Sequence, residues 1–130
     1  MPSAIGTWRL VRAIARDAAG NERPLPYGGH GTGRLSLGAD GRMMAVTCDG
    51  SPSLPHGAKR EYSSYIGTYT FDGVTLVTRV DGASDPTRMD SDQVRRVRFE
   101  DDLMVLQPPL RPYGGAPEQR DLYWEKISDI

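Results

Sequence analysis

"SYIGTYTFDGVTLVTRV", residues 64–80, contains two runs rich in Thr, Tyr, Val and Leu on either side of Asp72-Gly73. β-branched and aromatic side chains suit a pleated, half-buried surface. Asp-Gly closes tight hairpins because its glycine accepts positive φ. The first run places Tyr65, Gly67, Tyr69 and Phe71 on one face and Ser64, Ile66, Thr68 and Thr70 on the other. That period of two is the signature of a strand with one side turned to a core. The stretch reads as a β-hairpin, with strands 64–71 and 74–80.

The same pattern recurs on both sides. Strands are predicted at 7–18, 33–37, 42–48, 93–99, 103–107 and 121–127, making eight in all. Tight connections join the second to the third ("GADG"), the fourth to the fifth ("DG") and the sixth to the seventh ("EDD"). The other four connections are long and rich in Gly, Pro or Ser. In an up-and-down sheet every second connection lies at the same end, so the tight hairpins gather at one end and the long loops at the other. This predicts an all-β, eight-stranded antiparallel up-and-down β-barrel over residues 1–130, with an internal cavity open at the long-loop end. Closure also removes the edges an open sheet would expose. No amphipathic helix is apparent, and residues 51–64 hold at most one short helical turn.

"PYGG" occurs twice, at 26–29 and 112–115. The first copy runs on into "HGTG", which raises the possibility of a phosphate loop. It does not fit G-x-G-x-x-G, lacks a following Lys-Ser/Thr, and leads into a strand with no helix N-terminus to hold an anion. The two corners lie in the first and last long connections, whose strands become neighbours on closure. Both are therefore expected on one rim.

The 130 residues, 38% hydrophobic and 25% charged, are those of an ordinary folded domain. A net charge of -1 offers no basic field for nucleic acid or anionic lipid. Cys48, the only cysteine, excludes an intrachain disulfide and a cysteine-rich zinc site. The N-terminus does not read as a signal peptide and no apolar stretch is long enough to span a bilayer, so a cytoplasmic protein is expected. No motif asks for a cofactor or a metal.

In order along the chain stand "GTWRLV" (6–11), "PYG" (26–28), "DGRM" (40–43), "YIGTYTFDG" (65–73), "DQVR" (92–95) and "LYWEKI" (122–127). This ordered set resembles the bacterial lipocalin-like domain family and spans nearly the whole chain. The resemblance implies a calycin-type barrel with an internal cavity, and binding more than any reaction. Where relatives often carry paired histidines on the fifth strand, this chain has Thr78-Arg79. Lipocalin-like barrels commonly place the first-strand Trp, here Trp8, across the closed end, where Lys126 would cap an indole by a cation–π contact.

Alternation assigns the remaining faces. Trp8, Leu10, Arg12 and Ile14 are expected inward, as are Gln93, Arg95, Val97 and Phe99. Tyr65 and Tyr69, then Leu76, Thr78 and Val80, then Leu103 and Val105 complete the wall. On the third strand either Met43, Ala45 and Thr47 or Met44, Val46 and Cys48 point inward. Cys48 reads as a small buried hydrophobe. Inward arginines are costly unless paired. Arg12 and Arg95 either meet a buried acid or the mouth, or clamp an anionic group of a ligand bidentately. The candidate ligand-binding residues are Arg12, Tyr27, Tyr65, Tyr69, Thr78, Arg95 and Tyr113. His30 and His56 lie in mouth loops, either solvated or placed to move a proton. Asp85, Asp90 and Asp92 match no metal motif.

Three functions compete. One is binding of a small hydrophobic or amphipathic, anionic molecule inside the barrel. The second is a cofactor-independent isomerase or cyclase acting on a small carbonyl compound in the same cavity. The third is protein-partner binding through the mouth loops, with a homodimer through the barrel wall left open.

Overall fold

At the Asp72-Gly73 corner, the Asp72 carboxylate accepts the backbone N–H groups of Val74 (2.9 Å) and Thr75 (2.7 Å). Gly73 takes φ 99°. The corner joins strands β4 (Tyr62–Phe71) and β5 (Thr75–Ala83), which pair antiparallel from Phe71↔Leu76 upward. The structure, a computed structural model, describes residues 3–113 and 115–130. Gly114, in the second PYGG corner, lies outside them.

The other strands are β1 (Gly6–Asp17), β2 (Gly31–Leu37), β3 (Arg42–Asp49), β6 (Asp92–Glu100), β7 (Leu103–Gln107), β8 (Arg111–Pro112) and β9 (Pro117–Ser128). Each of β1 to β6 pairs antiparallel with the next, and β7 then pairs with β9. β9 pairs with β1 over most of its length. The chain is thus a closed eight-stranded antiparallel barrel. The short β8 is an addition the sequence pattern does not announce; it pairs only with the start of β9. Two 3-10 turns, Pro26–Gly29 and Pro86–Arg88, are its helical elements among the described residues, and no helix is long and apolar enough to cross a membrane.

The core follows the alternation. Leu35, Leu37 and Leu76 are each 1% exposed, and burying a leucine contributes about 1.5–3 kcal/mol. Tyr65, Tyr69, Phe71 and Phe99 pack against this cluster. Gly67 is required by close approach: a Cβ there would lie 2.0 Å from the Arg79 carbonyl oxygen. At the hairpin end, Trp8 is buried, its Nε1 donates to the Ala4 carbonyl (2.9 Å), and Lys126 Nζ stands 5.1 Å from its ring centroid. On β3 the inward set is Met43, Ala45 and Thr47; Met44 and Val46 are exposed and Cys48 is half-buried beside them on the outer side.

Two face assignments are corrected. The pairing of β1 with β9 shifts between Leu10↔Trp124 and Arg12↔Tyr123, leaving Val11 as an extra residue. Such a β-bulge moves every later side chain to the opposite face. Trp8 and Leu10 point inward as expected, but Arg12 and Ile14 point outward, and Ala13 and Ala15 take the inner positions. On β7 the inward residues are Met104 and Leu106, which belong to the core cluster, not Leu103 and Val105. Val105 is nevertheless wholly buried, because an outer-wall cluster covers it.

In that cluster Tyr123 carries the Arg12 guanidinium 4.8 Å above its ring. Asp121, 2% exposed, accepts from Arg98 Nη2 (3.1 Å) and Gln107 Nε2 (3.0 Å) and lies 3.6 Å from Arg16 Nη1. A carboxylate this buried is tolerable because it is paired and hydrogen-bonded.

An arginine-lined cavity at the open end of the barrel

The long connections meet at the end opposite Trp8 and enclose a cavity of about 210 Å³. Its floor is apolar, made of Leu35, Ala45, Leu106, Leu122 and Trp124. Its sides and rim carry Tyr27, Tyr65, Tyr113, Arg88, Arg95, Arg111 and Arg120, with Glu61 and Asp85.

Both PYGG corners reach it. The first forms the 3-10 turn, in which Tyr27 adopts φ 57° and Gly28 φ 62°. Left-handed backbone costs a non-glycine residue about 1–2 kcal/mol. Packing and one hydrogen bond hold it: Tyr27 is 7% exposed, and its hydroxyl lies 2.8 Å from Thr47 Oγ1. Burial pushes the Tyr27 phenol above its ordinary value, so it stays neutral. From the second corner, Tyr113 offers its ring to Arg120, whose guanidinium carbon is 3.6 Å from the centroid. The same guanidinium is 5.8 Å from the Tyr27 ring. One arginine thus joins the two corners, which share a rim. The residues after the first corner lead into β2, as a strand and not as a phosphate-binding helix start.

The four arginines differ in their partners. Arg120 is paired with two carboxylates: its Nε lies 3.0 Å from Glu118 Oε1 and its Nη1 3.7 Å from Glu61 Oε1. Arg95, Arg88 and Arg111 form no ion pair among the described residues. Arg95 is 6% exposed and points inward from β6 as the alternation predicts. Its donors reach only neutral acceptors, the Val94 carbonyl (2.9 Å) and Gln93 Oε1 (3.3 Å). Arg88 projects from the second 3-10 turn, which Asp85 caps by accepting from Thr87 N (2.9 Å) and Thr87 Oγ1 (2.7 Å). Its guanidinium stands 5.8 Å from the Tyr65 centroid. Its Nε is buried without an acceptor among the described residues. Burial, then the like charges of Arg95 and Arg111, lower the Arg88 pKa from its ordinary value. A buried donor left unsatisfied costs about 1–3 kcal/mol, more when charged. The indole Nε1 of Trp124, on the floor, is a second buried donor without a partner. The cavity therefore presents spare positive charge above and an unused neutral donor below.

Of the residues expected to bind ligand, Tyr27, Tyr65, Arg95 and Tyr113 line this cavity. Arg12 does not, because the bulge turns it outward. Tyr69 and Thr78 face the barrel interior but are not among the residues that line the cavity; the Tyr69 hydroxyl donates to the Gly38 carbonyl (2.6 Å) at the hairpin end. Arg79, next to Thr78, points outward and lies 3.6 Å from Asp92. His30 and His56 are exposed and line no part of the cavity. Among the described residues no three His, Cys, Asp or Glu side chains converge to hold a metal ion. Sequence reasoning misses Arg88, Arg111 and Arg120. Arg120 has a readable signal: it lies two residues before Leu122 and four before Trp124, so one more turn of the alternation at the start of the last strand places it inward.

A closed eight-stranded antiparallel barrel with a cavity at one end is the architecture of the up-and-down lipocalin-like barrels. A family model described as a lipocalin-like domain matches residues 5–127. The chain belongs to the lipocalin-like domain family, whose barrels suit small hydrophobic ligands. No curated protein matches it.

Proposed function

We propose that the protein binds a small amphipathic anion inside the barrel. The observation that carries this reading is the set Arg88, Arg95 and Arg111, which line a partly apolar cavity and form no ion pair among the described residues, with Asp85 the one carboxylate near them that is not paired to Arg120. Unpaired guanidinium groups in a confined site are unfavourable by themselves and favourable around a carboxylate or phosphate. The apolar floor and the tyrosine rings suit the hydrocarbon part of such a molecule. The cavity of about 210 Å³ equals about seven water molecules at liquid density. That is room for a one-ring acid. The alternative, an isomerase or cyclase that moves its proton through His30 or His56, loses support because neither histidine lines the cavity. Binding is the better supported reading.

The test is thermal denaturation with benzoate and with benzamide, which share shape but not charge. An acid at about 100 times its dissociation constant stabilises the folded state by about 2.7 kcal/mol. Benzoate is expected to raise Tm, benzamide is not, and Arg95→Met is expected to abolish the difference. Equal shifts from the two compounds would refute the anionic reading.

A further inference from the structure

Charges around the cavity nearly cancel. Arg88, Arg95, Arg111 and Arg120 face Glu61, Asp85 and Glu118, a surplus of one positive charge that a single anionic group answers. The cavity has a second polar feature, and it is neutral. Tyr27, Thr47 and Ser63 all reach the lining, from the first PYGG corner, β3 and β4. Thr47 and Ser63 stand opposite each other across the strand pair, so their side chains share the inner face. Tyr27 is 7% exposed and Thr47 8%.

The Tyr27 and Thr47 hydroxyl oxygens lie 2.8 Å apart. A hydroxyl carries one proton and two lone pairs. Their mutual bond uses one proton, whichever oxygen donates, and the other proton has no acceptor among the described residues. Ser63 sets a third hydroxyl beside them. The hydroxyls and the unpaired arginines come from separate parts of the wall. Round the eight-stranded ring, β6 with Arg95 and β9, whose start carries β8 and Arg111, each stand three strands from β3. A ligand lying between them meets charge at one end and neutral hydroxyls at the other. If it fills the space it excludes water from the spare proton, so it must supply the acceptor itself. A site built in this way rejects the isostere that lacks the polar group.

We infer that the ligand is a one-ring hydroxy acid, its carboxylate toward the arginines and its hydroxyl against Tyr27 and Thr47. This inference rests on the anion-binding reading above. The ligand hydroxyl oxygen accepts the spare proton, and its own O–H donates back to a free lone pair of the Tyr27–Thr47 pair or of Ser63. A methyl group of nearly the same size fills the same space and leaves that proton unsatisfied.

Titration calorimetry at pH 7, where a phenol is neutral, tests it with compounds of nearly one shape. These are 4-hydroxybenzoate, 4-methylbenzoate and the amides of both, with the 3-substituted set alongside. In the 3- or the 4-series the hydroxy acid is expected to bind about tenfold or more tightly than the methyl acid. In the double variant Tyr27→Phe/Thr47→Val that ratio is expected to fall to within about threefold, through weaker binding of the hydroxy acid. Near-UV circular dichroism confirms that the double variant keeps the barrel, and the wild-type comparison decides the matter without it. Equal binding of hydroxy and methyl acids, or a preference that survives the double substitution, overturns the inference and leaves the anionic reading standing. Acids that bind no better than their amides remove the anionic reading, and the hydroxy acid with it. If none of the compounds binds, both fall together.

Discussion

Replacing Arg95 by methionine probes the charge balance of the barrel with no ligand present. Arg95 is 6% exposed, and its hydrogen bonds go to two neutral acceptors. Methionine keeps much of the aliphatic volume and removes a charge that has no acidic partner. Apolar replacement of buried ionic groups is often stabilising by about 1–4 kcal/mol, and the lost hydrogen bonds offset about 0.5–1.5 kcal/mol each. With two bonds lost, a net gain of about 0.5–1 kcal/mol is expected. For a chain of this length each kcal/mol moves Tm by about 3–5 °C, so Tm is expected to rise by about 2–5 °C. Arg88→Met is expected to act in the same direction. The double variant should gain less than the sum of the two, because each single change already removes their mutual repulsion. The assay is differential scanning calorimetry on the four proteins at fixed salt. A fall in Tm of several degrees in Arg95→Met, with additive behaviour in the double variant, would show that the guanidinium is satisfied internally. The cavity would then carry no spare charge for a ligand.

Three further outcomes follow from the geometry. Asp121→Asn breaks a buried charge network with Arg98 and Arg16 and is expected to destabilise by about 3–5 kcal/mol, read by urea denaturation, with binding unchanged. Arg12→Ala removes an outer-wall cation–π contact and should cost about 0.5–1 kcal/mol without altering affinity; a tenfold loss of affinity would contradict its outward placement. Backbone N–H donors of Asn21, Arg42 and Thr75 hold Asp17, Asp40 and Asp72 below 3.8. The hydroxyls of Ser51 and Thr87 lead the same effect at Asp49 and Asp85. A depressed folded-state pKa means the unfolded chain binds protons first. Stability should therefore be flat above the ordinary carboxylate range and fall as pH drops below about 3.8, and Asp72→Asn should make that fall shallower.

The barrel is legible in the sequence because its information is local and repeated. Asp-Gly corners, period-two alternation and the parity of long and short connections each point to the same closed sheet. The cavity is less legible. Arg95 follows from alternation within a regular strand, and the two tyrosines follow from the repeated PYGG corner. Arg12 fails because one extra residue, Val11, reverses the count, and nothing in "RLVRAI" marks where a bulge falls. Tyr69 and Thr78 share the inward face with Tyr65, but depth along the barrel depends on strand stagger, which alternation does not encode. Arg88 and Arg111 sit in connections, where no period exists to orient a side chain.

The position of Arg120 has a kinetic consequence. It lies across the rim, stacked on Tyr113, close to Tyr27 and tied to carboxylates on β9 and near the start of β4, while Arg95 lies deeper. A group at the rim acts on passage in both directions, and a group inside acts on the bound state alone. Loosening Arg120 should shorten residence time and speed association by similar factors, leaving affinity nearly unchanged, whereas loss of Arg95 should appear almost wholly in the dissociation rate. Under the proposed binding function, how fast a guest exchanges and how strongly it is held are thus assigned to different arginines.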